Sequence, residues 1–250
     1  MFMRLTLAES RLLKDSIGII SELVSEVTLK IDKNKIEIVA VDPANVVMIV
    51  FKLLSSAFIE YDVKKEANIA ISLDNLKQVL RRVKPTDTLT LELDEDKNRL
   101  RILLKGDSHR TFNLSLINIE DREQKIPSLE FPVRIELNSQ VLEDSIEDVG
   151  IVAESVSFSA AKEKFVIESE GNFSDANVEL KKDEETLINL VGDGTRAKYS
   201  VEYLKKIVKG GKLADKVVVQ FDKDYPLKVD FTVLNKLSLS FILAPRVDNL

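Results

Sequence analysis

Lys77, Arg81 and Lys84 recur at spacings of four and three in SLDNLKQVLRRVK (residues 72–84), the rhythm of one helix face. Leu73, Leu76, Val79, Leu80 and Val83 supply the opposite, apolar face. A second stretch, SVEYLKKIVKGGK (200–212), repeats the device with Lys205, Lys209 and Lys212 at the same spacings and Lys206 alongside. A third, SRLLKDSIGIISELV (10–24), carries Arg11 and Lys14, followed on that face by small Gly18 and Ser21. The chemistry open to such faces is charge neutralisation. In a chain of net charge -6, cations gathered at three helical sites point to an anionic polymer. No aromatic side chain is interleaved for base stacking, and no helix carries a base-reading pattern, so the expected contact is with duplex phosphates without sequence readout. SQVLEDSIEDVG (139–150) breaks the pattern: Asp144 and Asp148 lie four apart with Glu143 and Glu147 beside them, a face that repels phosphate.

Other chemistries find little support. The chain has no cysteine and one histidine, His109, so neither a thiol nucleophile nor a His cluster for metal is available. Walker and Gly-x-Gly-x-x-Gly loops are absent, and GDGT (192–195) reads as a turn. DEDKN (94–98) lacks the glycine and the bidentate glutamate of a calcium loop and reads as a hairpin turn. No enzyme chemistry, metal or cofactor is expected. The N-terminus has no secretory pattern and no apolar run spans a membrane, which leads us to expect a soluble intracellular protein.

These cationic stretches need elements to position them. Alternating or β-branched runs such as VTLKID, KIEIVAVD, DTLTLEL, SVSFSAA, KFVIESEG, KVVVQF and LSLSFIL predict many short strands separated by turn residues. Helical periodicity begins only near residues 10, 74, 139 and 200, at each of which a Ser or Asp stands ready to cap. The starts are about 60–65 residues apart, a spacing that signals a repeat. One helix followed by antiparallel strands, four times over, predicts an α+β chain of two similar domains with two units each. INIEDREQKIPSLEFP (117–132), charged and carrying Pro127 and Pro132, suits a linker. The expected division is residues 1–117, a connector at 118–132, and residues 133–250.

This pattern resembles the sliding clamps of DNA replication, the proliferating cell nuclear antigen family in its archaeal form. The resemblance covers essentially the whole chain. It rests on VDPANVVMIVFKL, with Ala44 where the family has Ser, on LDNLKQVLRRVKPTDTLTLEL and RTFNLSLINIE, on Ile126-Pro127, and on the ending FILAPRV. It implies a DNA clamp fold assembling into a closed trimeric ring, with helices lining the hole and sheets outside. Arg11, Lys14, Lys77, Arg81, Lys205, Lys206, Lys209 and Lys212 would then face double-stranded DNA. The resemblance further implies a subunit joint pairing Asp144 and Asp148 with Arg82, Lys84 and Arg110 of the next copy. Gln140 stands where relatives place a third acid, and Lys84 could serve either hole or joint. The segments RTFNLSLINI and FSDANVELKK would pair across that joint as edge strands. A pocket for short partner peptides would be lined by Val41, Met48, Ile126, Pro127, Phe131, Pro226, Ile242, Leu243, Ala244 and Pro245. Expected partners are DNA polymerase, clamp loader, flap nuclease and DNA ligase, with no membrane involved. The expected location is the cytoplasm for an archaeal protein, or the nucleus for a eukaryotic one. The competing possibility is a β-rich interaction scaffold that never encircles DNA.

Overall fold

The computed structural model describes residues 3–119, 124–192 and 194–246. Residues 120–123 of the expected connector, Asp193 of GDGT and Val247 of the FILAPRV ending lie outside them. The chain divides into two compact units. The first comprises Met1–Val41, Ile49–Ile126 and Val233–Leu239; the second comprises Asp42–Met48, Pro127–Thr232 and Ser240–Leu250.

The first unit runs β1 (Met3–Leu7), α1 (Arg11–Ile20), β2 (Glu26–Ile31), β3 (Lys35–Val41), β4 (Val47–Leu54), β5 (Glu60–Val63), β6 (Ala67–Ser72), α2 (Leu73–Leu80), β7 (Thr88–Asp94), β8 (Arg99–Lys105) and β9 (His109–Ser115). Its strands exchange partners. β1 does not join the three strands that follow its own helix; it sits between β5 and β7 in a sheet ordered β5-β1-β7-β8-β9. β6 likewise pairs with β2, in the order β6-β2-β3-β4. Each helix therefore bridges two sheets, and α1 packs beside α2. Alternation does the sorting: β2 buries Val27, Leu29 and Ile31 and exposes or half-exposes the residues between. The core is mainly aliphatic, with Leu5, Ile17, Ile20, Leu73, Leu89 and Ile102 inaccessible alongside the ring of Phe51.

The second unit repeats this arrangement with β10 (Val133–Asn138), α3 (Ser139–Val149), β11 (Ser155–Ala161), β12 (Lys164–Glu170), β13 (Asp175–Lys181), β14 (Leu187–Leu190), β15 (Thr195–Ser200), α4 (Val201–Ile207), β16 (Lys216–Phe221), β17 (Leu227–Val233) and β18 (Leu237–Leu243). Here the orders are β13-β12-β11-β15 and β14-β10-β16-β17-β18. Its core is aromatic. Phe158 meets Phe165, Tyr199 and Phe221 edge-on at 5.3, 5.6 and 5.9 Å between ring centroids. α4 continues into a 3-10 turn at Val208–Lys212. Gly210 is required there, because a Cβ would come within 2.3 Å of the Phe231 ring.

The helix ends differ from expectation. Asp74 caps nothing: α2 is capped by Ser72, which accepts the Asn75 N–H, and Asp74 lies within the first turn. Asn138, not Ser139, caps α3 by accepting the Gln140 N–H, while the Ser139 hydroxyl donates to the Ala214 carbonyl at 2.7 Å. Neither Ser10 nor Ser200 makes a side-chain cap. α2 stops at Leu80, so Lys84 is beyond the helix. Pro85 disfavours helical backbone at the residue before it, and the Lys84 N–H instead donates to Asp87 at 2.7 Å.

Candidate nucleic-acid interface

α1 and α2 turn their apolar stripes into the first unit, which leaves the intervening residues outward. Leu73, Leu76, Val79 and Leu80 are buried; Lys77 is half-buried along its stem and Arg81, the C-cap residue, is exposed. On α1, Leu12, Leu13, Ile17 and Ile20 are buried while Lys14 is half-exposed. Lys14, Lys77 and Arg81 have no ion-pair partner among the described residues. Arg11 lies 3.8 Å from Glu9 and 4.0 Å from Asp15, both weak contacts at an exposed site. Two packed helices of this unit thus hold three cations whose charge is not spent on any described residue.

The second unit places its cations at matching points and treats them differently. Lys205 reaches across to α3 and meets Glu147 at 3.0 Å. Lys206 pairs with Glu202 one turn back at 2.8 Å and lies 5.4 Å over the Tyr203 ring. Lys209 and Lys212 sit on the 3-10 turn, half-exposed and exposed. The acidic α3 is therefore partly neutralised by its own unit.

Asp144 and Asp148 are both exposed on α3. Gln140 donates its amide to Asp144 at 2.8 Å, so the residue in the third-acid place steadies one of the acids. Of the basic residues expected to meet them, Arg82 and Lys84 are exposed, with Lys84 3.5 Å from Asp107. Arg110 is committed within its own unit: it forms an ion pair with buried Asp87 and donates to the Arg82 carbonyl at 2.9 Å. The Lys84 amide, the largest influence, and Arg110 together outweigh desolvation and hold the Asp87 carboxyl below its ordinary range. β9 and β13 each end their sheet, and neither buries a single side chain.

The residues expected to line a peptide pocket divide between the two units. Val41 and Ile126 belong to the first, and the other eight to the second. Ile126 is 46% exposed and Pro127 is exposed, while Phe131 stacks edge-on with Tyr225 at 5.7 Å. Leu243 departs from expectation: it closes β18 wholly buried and offers no surface to a partner. Ile242 is nearly as covered, at 9%.

One feature escaped the sequence. Asp42 is buried and its carboxylate collects the N–H groups of Val46 (2.7 Å), Val47 (2.8 Å) and Ala44 (3.2 Å), with the Tyr203 hydroxyl donating at 2.7 Å. Burial raises its pKa, but these four donors outweigh burial and leave the group more acidic than usual. Tyr203, whose proton Asp42 holds, is pushed up to about 12. The pair ties α4 to the loop at 42–46. No local signal joins residues 161 apart.

Among the described residues no group of His, Cys, Asp or Glu is arranged to hold a metal, and no helix is long and apolar enough to cross a membrane. Two units of one repeat, with helical cations and free strand edges, define a DNA clamp fold. The chain belongs to the proliferating cell nuclear antigen family: the N-terminal domain of that family matches residues 1–124 and the C-terminal domain residues 125–246. It is 34% identical over 249 residues to the DNA polymerase sliding clamp of Nanoarchaeum equitans, covering 98% of this chain and 100% of the relative. It is 36% identical to that of Thermococcus gammatolerans, with 94% of each covered. The crystal structure of a Thermococcus kodakaraensis member superposes with a TM-score of 0.92 at 29% identity, covering 98% of this chain and 100% of that one. An Entamoeba histolytica structure shares the fold at the same TM-score and 19% identity, covering 98% and 99%.

Proposed function

We infer that this chain is the subunit of a DNA polymerase processivity factor, a ring-shaped clamp that encircles duplex DNA without reading sequence and performs no chemistry itself. Residues 1–117 and 133–250 serve as its two clamp domains, with 118–132 connecting them. The observation that carries this function is the set of cations without counter-ions, Lys14, Lys77 and Arg81, on a chain matched to the family throughout. These residues, with Arg11, Lys205, Lys206, Lys209 and Lys212, meet phosphates at the hole. Retention is topological, so each contact stays weak and sliding is permitted. The test is loading onto circular and linear duplex. The protein stays on the circle and runs off the linear ends; equal loss from both excludes a closed ring.

Three copies join head to tail. β9 of one and β13 of the next complete each other's open edges, with Asp144 and Asp148 facing Arg82 and Lys84. Arg110 braces that basic side, since its own charge is spent on Asp87. The contact of Lys84 with Asp107, in the turn leading to β9, favours the joint over the hole. Reversing both aspartates to Lys shifts trimer toward monomer, more strongly at low salt; an unchanged elution volume sinks the ion-pair account.

Polymerase, loader, flap nuclease and ligase dock through short apolar peptides at Val41, Met48, Ile126, Pro127, Phe131, Pro226, Ile242, Ala244 and Pro245, with Leu243 supporting from below. Ile126→Ala weakens peptide binding and leaves the trimer intact; unaltered affinity removes this pocket. The site of action is the chromosome, in the cytoplasm of an archaeal cell.

A further inference from the structure

The two units carry the same arginine with opposite surroundings. Arg4 on β1 lies in register with Asp62 of β5 and Glu92 of β7, and its guanidinium pairs with Glu60 at 3.1 Å and Glu92 at 2.5 Å. Arg134 holds the same place on β10. There the positions of Asp62, Glu60 and Glu92 are taken by Asn189, Leu187 and Gln220. The arginine is present while all three acids around it are gone. Among the described residues only Glu136, two residues along its own strand, pairs with it, at 3.1 Å.

The strand edges differ in the same sense. β5 carries Glu60 and Asp62, both exposed, the kind of charge that keeps a sheet edge from accepting another strand. β14, the equivalent edge, turns out Leu187, 40% exposed, and Asn189, and is followed on that side by Val191, 80% exposed. Beside it lies a cleft of about 440 Å³ whose lining sets three cations, Arg134, Lys162 and Lys182, against one acid, Glu163, next to Phe131 and Val191. The Lys182 N–H donates to the Glu163 carbonyl at 2.9 Å, which holds that backbone beside the β11–β12 turn bearing Lys162. Neither lysine has an ion-pair partner among the described residues.

We propose that β14 is a docking edge for an extended acidic segment of a partner protein, which adds as a further strand and sets a carboxylate against Arg134, with Lys162 and Lys182 at its flank. Backbone pairing supplies the affinity, while alternate aliphatic side chains cover Leu187 and Val191. Charge argues against a second copy as occupant, because each cleft carries three cations to one acid and two of them would meet with like charge in excess. The β14 edge uses neither the helices nor the free edges of β9 and β13, and of the residues assigned to the peptide pocket only Phe131 borders its cleft.

The probe is a blocked, fluorescein-labelled hexapeptide, Val-Glu-Val-Asp-Val-Thr, titrated with the full chain and followed by anisotropy. It binds, and a version with Lys in place of both acids binds at least about tenfold more weakly. N-methylation of alternate peptide amides abolishes binding. The double change Leu187→Glu with Asn189→Asp, which restores the acidic pattern of β5, abolishes it too. Lys162→Glu with Lys182→Glu weakens it about tenfold, and retention on circular DNA is unchanged in both variants. Equal binding of the acidic and basic peptides, or binding that survives N-methylation, overturns the proposal. So does a concentration-dependent self-association lost in the Leu187→Glu, Asn189→Asp variant, which would make a second copy the occupant.

Discussion

α2 and α4 occupy equivalent places in the two units, and each shows cations on its outer surface, yet only one keeps its charge available. Lys77 and Arg81 have no ion-pair partner among the described residues, whereas Lys205 is tied to Glu147 and Lys206 to Glu202. Glu147 of α3 and Glu202 of α4 itself create the difference. On the proposed reading α3 supplies carboxylates for joining copies, which would spoil a phosphate-facing surface, and Lys205 of its neighbour offsets part of that charge from within the unit. Counting lysines therefore overstates what the second unit brings to DNA. A single fold repeated twice can divide its labour through side chains alone.

The sharpest way to break this comparison is charge reversal in the first unit set against charge removal in the second. Lys77→Glu with Arg81→Glu should weaken binding to a short linear duplex by about ten- to a hundredfold and flatten the slope of log affinity against log salt by about two. Lys205→Ala should flatten that slope by well under one, because its ammonium already has a counter-ion. Titrations at several salt concentrations decide the matter. Equal losses in the two variants would mean that the Glu147 pair opens at no cost when phosphate arrives.

A smaller effect separates the units at the next residue. The place of Tyr203 on α4 is held on α2 by Asn75, whose N–H merely receives the Ser72 cap. Tyr203→Phe removes one of four donors from a buried carboxylate and should cost about 1–2 kcal/mol in urea unfolding, while Asn75→Ala should fall within about 0.5 kcal/mol. The pH dependence has two limbs. Asp42 has a lowered folded-state pKa, so its contribution is present above the ordinary aspartate range and is lost as pH falls through and below it. Tyr203 has a raised one, so its contribution is present below about 10 and lost as pH rises toward about 12. Tyr203→Phe should abolish the alkaline limb belonging to this pair. An alkaline profile identical in wild type and variant would show that the hydroxyl contributes nothing.

What the sequence disclosed followed from period and charge. The four helices, the strand texture, the turn at residues 94–98 and the cationic faces all come from patterns within a dozen residues. Helix ends were less legible, since Ser72 and Asp74 are both chemically able to cap and only backbone geometry chooses between them. Long-range pairings left no trace. Nothing near Glu147 announces Lys205, nothing near Asp87 announces Arg110, and the exchange of β1 and β6 between sheets cannot be read from alternation. Leu243 entered the expected pocket by matching position in the family, and position alone does not say whether a side chain faces a partner or the core. The β14 edge emerged only when register placed Arg134 on Arg4.

The smallest expected effect tests the comparison from the other side. Glu147→Gln keeps the shape of α3 and removes the counter-ion of Lys205. If pairing is what withholds that lysine, the variant should bind short duplex DNA a few-fold more tightly, and its salt slope should steepen by up to about one. Glu202→Gln should do the same for Lys206 to a lesser degree, because one-turn pairs at exposed sites are worth only about 0.3–0.5 kcal/mol. The control is Lys205→Ala combined with Glu147→Gln, in which the gain should vanish because no ammonium is left to release. A gain that persisted without Lys205 would mean that Glu147 acts on DNA through plain repulsion, and the two helix pairs would then differ in net charge alone rather than in how their charges are tied.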